Sequence, residues 1–228
     1  MFTAISNLSP NVKYGLLLGL IVVSIMVFCY LFNYKYFKTK KVAIGKYKFN
    51  VNSDFVDKKV AADILKNINS KNIILFRHLQ KKYLGRGNIP PLVDFPFGKV
   101  VSDRIISRYN PEVIVEVDPS APGTSYTVNK GDKMVLCLRS VDVKALHTAD
   151  ILYFVVLHEI SHMGATDPKT LQEVWHHVPE YWMTFKFILE EAKNAGVYDP
   201  VDYSKRPIKY CGMDVGYNPY FDPELKYK

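Results

Sequence analysis

Hydrophobic positions along the chain predict one long apolar segment followed by a domain that mixes helices and strands. Residues 14–32 form a run of 19 residues without a charge. A helix of that length spans about 28 Å, close to the roughly 30 Å hydrocarbon core of a bilayer. No small-residue cleavage site follows the run, so we interpret it as a retained transmembrane helix rather than a signal peptide. Residues 1–13 would then be a short N-terminal tail.

The pattern beyond this segment predicts a strand and three helices. Residues 42–51 partly alternate between apolar and polar, as a half-buried strand does. A helix is predicted from residue 53 to 69, a second over 71–84 and a third over 100–109. The apolar stripe of the first helix consists of Phe55, Val56, Val60, Ile64 and Leu65.

A β-rich stretch and two further helices complete the pattern. Strands are predicted at residues 112–117, 125–128 and 133–139, the last two joined by a turn over 129–132. Helices are predicted from Thr148, a plausible N-cap, to Gly164, and over 179–195. Strands grouped before helices indicate an α+β fold with a short antiparallel sheet. We assign residues 42–228 to this domain and 33–41 to a basic linker.

Charge is distributed unevenly along the chain. The net charge is +8. Residues 1–111 hold 18 Lys and Arg against 5 Asp, whereas residues 112–228 hold 12 basic and 17 acidic residues. Six lysines closely follow the apolar run, at 35, 38, 40, 41, 46 and 48. The positive-inside rule therefore predicts an outside N-terminus and a cytosol-facing domain. Basic residues beside an anionic leaflet explain this half of the chain better than a nucleic-acid partner does.

The three cysteines predict no disulfide framework. Cys29 lies in the apolar run, Cys137 in a predicted strand and Cys211 in a turn. We expect Cys137 and Cys211 to be buried small hydrophobic residues, which agrees with a reducing compartment.

His158, Glu159 and His162 form the pattern His-Glu-x-x-His at the end of an apolar helical run. Residues four apart share a helix face, so both imidazoles can bind one zinc ion. Glu159 would be the general base that takes a proton from zinc-activated water. Polar groups inside so apolar a helix need a partner, which favours a metal site over coincidence.

A third protein ligand is needed to complete a catalytic zinc site. The spacing in which a glycine and a third histidine follow the motif closely is excluded, because those positions hold Ala165 and Pro168. His177 and Glu180 lie at distances that would suit a more distant ligand, and His176 is a further alternative. Thr170 and Glu173 form a capping-box pattern, which predicts a helical turn before these residues.

The segment His-Val-Pro-Glu-Tyr at residues 177–181 resembles the His-Gly-Pro-Glu-Phe segment of SprT-like metallopeptidases. The related WLM group is similar but has its third histidine where this chain has Pro168. The resemblance covers about residues 134–182, with Val178 in place of a glycine. It implies a zincin-like domain in which His158, His162 and His177 bind Zn2+ and Glu159 is the base.

Tyr210, in a C-terminal tail rich in Tyr, Gly and Pro, is a candidate to stabilise an oxyanion, although burial of aromatic side chains is the commoner reason for such residues. The strand at 133–139 is where zincins commonly present a sheet edge to an extended peptide.

These observations predict a membrane-anchored zinc metallopeptidase that acts on a protein or peptide substrate. The alternative is a catalytically weak or inactive zincin-like domain with a structural role. The composition and the short anchor are similar in style to proteins of large double-stranded DNA viruses. In that setting the domain would lie between an internal virion membrane and the shell, where capsid proteins would be its partners. Nucleic acid is not an expected partner.

Overall fold

The computed structural model describes residues 9–227, so most of the predicted N-terminal tail lies outside the described residues. The fold is α+β, as predicted. The five α-helices within residues 9–227 are α1 (Pro10–Tyr36), α2 (Lys58–Leu79), α3 (Pro96–Arg108), α4 (Ala149–Gly164) and α5 (Pro179–Asn194). Its strands are β1 (Thr39–Ile44), β2 (Tyr47–Asn52), β3 (Ile114–Glu116), β4 (Tyr126–Val128), β5 (Lys133–Leu136), β6 (Ile208–Tyr210) and β7 (Met213–Val215).

Helix α1 is long and apolar enough to cross a membrane, by its length and composition. None of its residues is buried against the rest of the chain. The segment predicted as a basic linker is instead the end of α1 and the beginning of β1. The Asp118 amide donates to the Tyr36 carbonyl at 3.1 Å, and Phe37 packs against the core. The end of α1 is therefore fastened directly to the domain.

The main sheet has the strand order β1-β2-β3-β5-β4 and is mixed. The outer pairs β1–β2 and β4–β5 are antiparallel, whereas β2–β3 and β3–β5 are parallel. The prediction of an antiparallel sheet was therefore wrong, because helices α2 and α3 return the chain from β2 to β3 in the same direction. The predicted strand over 42–51 is a hairpin that turns at Gly45 (φ +62°).

Helix α2 also differs from its prediction, because it is one helix rather than two. It begins at Lys58 and continues past Leu79 as a π-helical turn, Gln80–Leu84. The predicted apolar stripe began too early: Val56 is 99% exposed and Val60 52% exposed. The stripe that packs on the sheet consists of Ala61, Ala62, Leu65, Ile68, Leu75 and Leu79.

Helices α4 and α5 confirm their predictions and form the centre of the domain. The run from Ile151 to Leu157 in α4 is buried throughout. At its end Gly164 lies against α3, where a Cβ atom would come within 2.7 Å of Ile105. Helix α5 begins at Pro179, and Gly196 (φ +71°) follows its end.

The C-terminal segment forms a second, two-stranded sheet from β6 and β7. Cys211, in the turn between these strands, is joined by a disulfide to Cys137, which follows β5. The prediction that the cysteines form no disulfide was therefore wrong, whereas both are buried as expected. The two lie 74 residues apart in the sequence, so their spacing gave no sign of a pair that the fold brings together.

Glu191 joins α5 to α2, and the hydrogen bonds of its carboxylate predict that stability depends on pH. It accepts hydrogen bonds from His78 (2.6 Å), Lys82 (2.8 Å) and Tyr83 (3.0 Å). Burial alone would raise the pKa of Glu191, but the bonds from Lys82 and His78 outweigh burial and lower it below 4.5. The stabilisation is therefore complete above pH 4.5 and is lost as pH falls through the lowered pKa.

We expect Glu191→Gln to lower the free energy of unfolding by about 1–3 kcal/mol at pH 7, because it weakens charge-assisted hydrogen bonds. The difference from the wild type should shrink at pH 3.5. Denaturant unfolding at both pH values measures it, with the exposed Glu112→Gln as control. An equal loss at both pH values would contradict the assignment.

Candidate metal centre

Helix α4 presents His158 and His162 on one face, as the spacing of four predicts. The helix is otherwise enclosed by the core, and both histidines are only partly buried, at its open side. They border a polar hollow of about 340 Å³ that also contains Glu159, Thr127, Lys130 and His177. We call this the polar hollow.

His177 joins the pair from the loop between α4 and α5. Its Nε2 lies 3.0 Å from the Nε2 of His158 and 3.1 Å from that of His162. Three nitrogens bound tetrahedrally to zinc at about 2.0–2.1 Å would be about 3.3 Å apart. Only a small outward movement of the rings is needed, so the three residues fit a zinc ion.

The other candidate ligands lie outside this cluster. Among the described residues, the group of metal-type ligands consists of His158, His162 and His177. His176 is exposed and has a positive φ of 65°, which turns the chain between Trp175 and His177. Glu180, in the first turn of α5, is not brought to the cluster. The geometry therefore favours His177 over both alternatives.

The three imidazoles are in the protonation state that a metal requires. Burial, and then the neighbouring histidines, lowers the pKa of His158 well below 6.5 and that of His162 to about 3. Burial also lowers the pKa of His177. All three rings are therefore neutral at pH 7, and a neutral imidazole is the form that binds zinc.

Glu159 is buried beside the histidines and is 2% exposed. Its carboxylate accepts a hydrogen bond from Thr127 Oγ1 in β4 at 2.9 Å. Burial raises the pKa of Glu159 to about 8, against a smaller lowering by Thr127. A bound cation would favour the carboxylate form. The side chain can therefore take up and release a proton near neutral pH, as a general base must.

Two aromatic residues of α5 hold the imidazoles in place. The Tyr181 hydroxyl donates to the His158 carbonyl at 3.0 Å, and its ring stacks on His162 with centroids 4.3 Å apart. The Trp182 ring stacks on His177 at 5.6 Å, and its Nε1 donates to the His177 carbonyl. Sequence reasoning missed these roles, because Tyr181 and Trp182 are equally consistent with an ordinary buried helix face.

The predicted helical turn at Thr170 is absent from the loop between α4 and α5, which carries His177 and lies within the described residues. Asp167 instead accepts the backbone amides of Lys169 (2.7 Å) and Thr170 (3.2 Å) and forms a turn. The capping-box prediction was therefore wrong, because Glu173 pairs with a side chain of α3.

Three basic residues contact this loop and its flanks. Arg104 donates to Thr166 Oγ1 at 2.6 Å, and Arg108 donates to the Met163 carbonyl at 2.6 Å and pairs with Glu173. Lys130, in the turn between β4 and β5, donates to the Val174 carbonyl and lies 4.6 Å from the centroid of the Trp175 ring. The two contacts of Lys130, to Val174 and Trp175, lie within three residues of His177.

Tyr210 lies near the cluster, but its hydroxyl is occupied. It donates to the Cys137 carbonyl at 2.7 Å and contacts Ser125 Oγ at 2.6 Å. Its pKa is raised by burial. Because its proton is used within the fold, Tyr210 supports the C-terminal hairpin, and the geometry does not favour it as the donor to an oxyanion.

Comparisons with known proteins give one informative similarity. The chain is 29% identical over 159 residues to an uncharacterized protein of Acanthamoeba polyphaga mimivirus. The match covers 70% of this chain and 73% of the viral protein. No protein-family model matches the chain, and no solved structure matches it. The similarity thus links the chain to a viral protein, and its chemistry has to be argued from the site.

We expect Lys130→Met to weaken zinc binding by about tenfold to a hundredfold, because contacts behind metal ligands orient them. Burial lowers the pKa of Lys130 to about 8, so the side chain is a cation at pH 7. Competition against a zinc chelator measures the affinity. Lys169→Met, an exposed lysine of the same loop, should leave it unchanged. Equal affinities for the two variants would remove Lys130 from this role.

Proposed function

We propose that the chain is a zinc-dependent metallopeptidase. One observation carries the proposal: three neutral imidazoles converge on a single point, and the buried carboxylate of Glu159 lies beside them in an open hollow. A structural zinc site is usually closed by four protein ligands, whereas a catalytic site has three and an open position. His158, His162 and His177 would hold the ion.

Zinc bound there would supply Lewis acidity and a water molecule of lowered pKa. Glu159 would accept the proton of the attacking water and pass it to the leaving amine. Thr127 holds the Glu159 carboxylate in position, and Tyr181 fixes the backbone of His158. The Tyr181 ring would keep the His162 imidazole oriented, and the Trp182 ring would do the same for His177.

The outer strand β4 would bind the substrate backbone. We predicted that residues 133–139 form the sheet edge, but β5 lies between β3 and β4, so the edge is β4. Residues Ser125, Tyr126 and Thr127 border the polar hollow. An extended peptide that pairs with β4 would thus pass the histidines, as in β-strand addition. This arrangement supports the hypothesis that the domain is a zincin-like domain similar to the SprT-like metallopeptidases.

Helix α1 would anchor the enzyme in a membrane, with the lysines after it favouring an outside N-terminus and a cytosol-facing domain. The disulfide argues for the other orientation, because disulfides persist in oxidising compartments. We retain the orientation given by the lysines. In sealed vesicles with the cytosolic face outward, added protease should digest the domain and leave an N-terminal tag intact. A digested tag with a protected domain would reverse the orientation.

A structural role in a virion is the second candidate, and the part of it that has support is the similarity to a mimivirus protein. In that role the anchored domain would bind zinc without turnover and contact capsid proteins between an internal virion membrane and the capsid shell. Both candidates keep the metal site, so zinc binding alone does not separate them. Dependence of peptide hydrolysis on Glu159 does.

We expect Glu159→Gln to reduce kcat for peptide hydrolysis by about a hundredfold to ten-thousandfold, because the amide cannot accept the proton. Zinc content should stay the same, since Glu159 is not a ligand. The measurement combines metal analysis with cleavage of a mixed peptide library by the detergent-solubilised chain. Glu180→Gln is the matched control and should leave both unchanged.

A zinc-loaded wild type that cleaves no peptide would favour the structural role. Activity that survives in Glu159→Gln would contradict the assigned base.

A further inference from the structure

An apolar pocket opens beside the metal centre, at the opposite end from Lys130. His158 and Glu159 border both this pocket and the polar hollow. Its other walls come from α4, α5 and the C-terminal β6–β7 hairpin. The apolar side chains that line it are Phe154, Val155, Trp182, Phe185, Val215 and Tyr217. We call this the apolar pocket.

The size of the apolar pocket suits one large side chain. Its volume is about 210 Å³, and an apolar cavity of about 150 Å³ is enough to hold benzene. The walls are largely aromatic: the Phe185 ring lies 5.2 Å from those of Phe154 and His158, and Trp182 lies 5.5 Å from Tyr217. A benzyl or isobutyl group would therefore find contacts on several sides.

Four of the polar atoms around the apolar pocket already have partners within the chain. The Tyr210 hydroxyl donates to the Cys137 carbonyl, and the Tyr217 hydroxyl donates to Asp222 at 2.7 Å. Trp182 Nε1 donates to the His177 carbonyl, and Ser125 Oγ accepts from the Cys137 amide. The occupant is therefore not required to supply a hydrogen bond.

Besides Glu159 of the candidate metal centre, Asp214 is the acidic residue on the lining, and the hairpin register turns it away. It pairs across the hairpin with Lys209, whereas Ile208 pairs with Val215. Side chains alternate between the faces of a strand, so Asp214 and Val215 lie on opposite faces. Val215 packs against the core and Asp214 is exposed. This favours an apolar occupant over a lysine or arginine.

We propose that the apolar pocket binds a bulky apolar side chain, aromatic or long aliphatic, of the peptide substrate next to the bond that is cleaved. The inference rests on the proposed peptidase function. The disulfide and Tyr210 fasten the hairpin that forms the outer wall, so the C-terminal segment determines which residue is accepted. Val215, the partly buried apolar residue of that wall, is the specificity-determining residue.

Cleavage positions in a mixed peptide library, determined by mass spectrometry on the detergent-solubilised zinc-loaded chain, test the proposal. We expect Phe or Leu at one fixed position beside the cleaved bond, with kcat/KM at least about tenfold above Ala or Asp there. Val215→Asp should lower kcat/KM for the Phe peptide by about tenfold or more. Val143→Asp, at a valine that is 77% exposed and lies outside the pocket, is the matched control and should change nothing.

Val215→Phe gives a second variant, because it fills the pocket with a side chain of the protein itself. It should move the preference from Phe towards Ala. Cleavage without an apolar preference, or a preference that neither Val215 variant alters, would overturn the proposal and leave the peptidase function standing.

A binding experiment separates the two claims if no peptide is cleaved. Acetohydroxamate and 3-phenylpropionohydroxamate share the zinc-binding group and differ in the apolar part. We expect the phenyl compound to bind the zinc-loaded chain about tenfold or more tightly, and Val215→Asp to remove that difference. Equal affinities of the two compounds for the wild type would contradict the apolar pocket, whereas absent hydrolysis with a clear difference would overturn only the peptidase function.

Discussion

The structure around the site depends on one constraint, which is that polar ligands project from a helix buried in an apolar core. Burial keeps the imidazoles of His158 and His162 neutral and makes the Glu159 carboxylate costly to leave unpaired. The Nε2 atom of His177 lies 3.0 Å from that of His158 and 3.1 Å from that of His162, so a proton or a cation has to lie between these nitrogen lone pairs. A zinc ion would satisfy the three imidazoles at once, and it would leave the open position that the proposed hydrolysis needs.

Much of the remaining fold serves to bring His177 to this point. The loop from α4 to α5 has no helix or strand of its own, so side chains from elsewhere fix it. Lys130 holds the Val174 carbonyl, and Tyr181 and Trp182 orient the rings from the other side. The edge strand β4 contributes Thr127 to the carboxylate. The disulfide-linked hairpin forms the outer wall of the apolar pocket. The candidate metal centre therefore lies between the polar hollow on one side and the apolar pocket on the other.

The local features of this arrangement could be predicted from the sequence. The α4 and α5 helices, the β4–β5 hairpin and the pairing of His158 with His162 depend on periodicity and turn residues alone. The parallel pairing of β3, the continuous α2 helix and the Cys137–Cys211 disulfide could not, because they depend on contacts between distant segments. The candidate third ligand was intermediate: the spacing left His176, His177 and Glu180 open, the resemblance favoured His177, and the path of the loop brings His177 to the pair.

The central claim is that three imidazoles, and no neighbouring group, hold one zinc ion. Native mass spectrometry and metal analysis of the purified chain and its His177→Ala and His176→Ala variants test it most directly. We expect about one zinc per chain for the wild type and for His176→Ala, and a loss of most of the metal for His177→Ala. Full zinc retention in His177→Ala, or a wild type purified and reconstituted without zinc uptake, would contradict it.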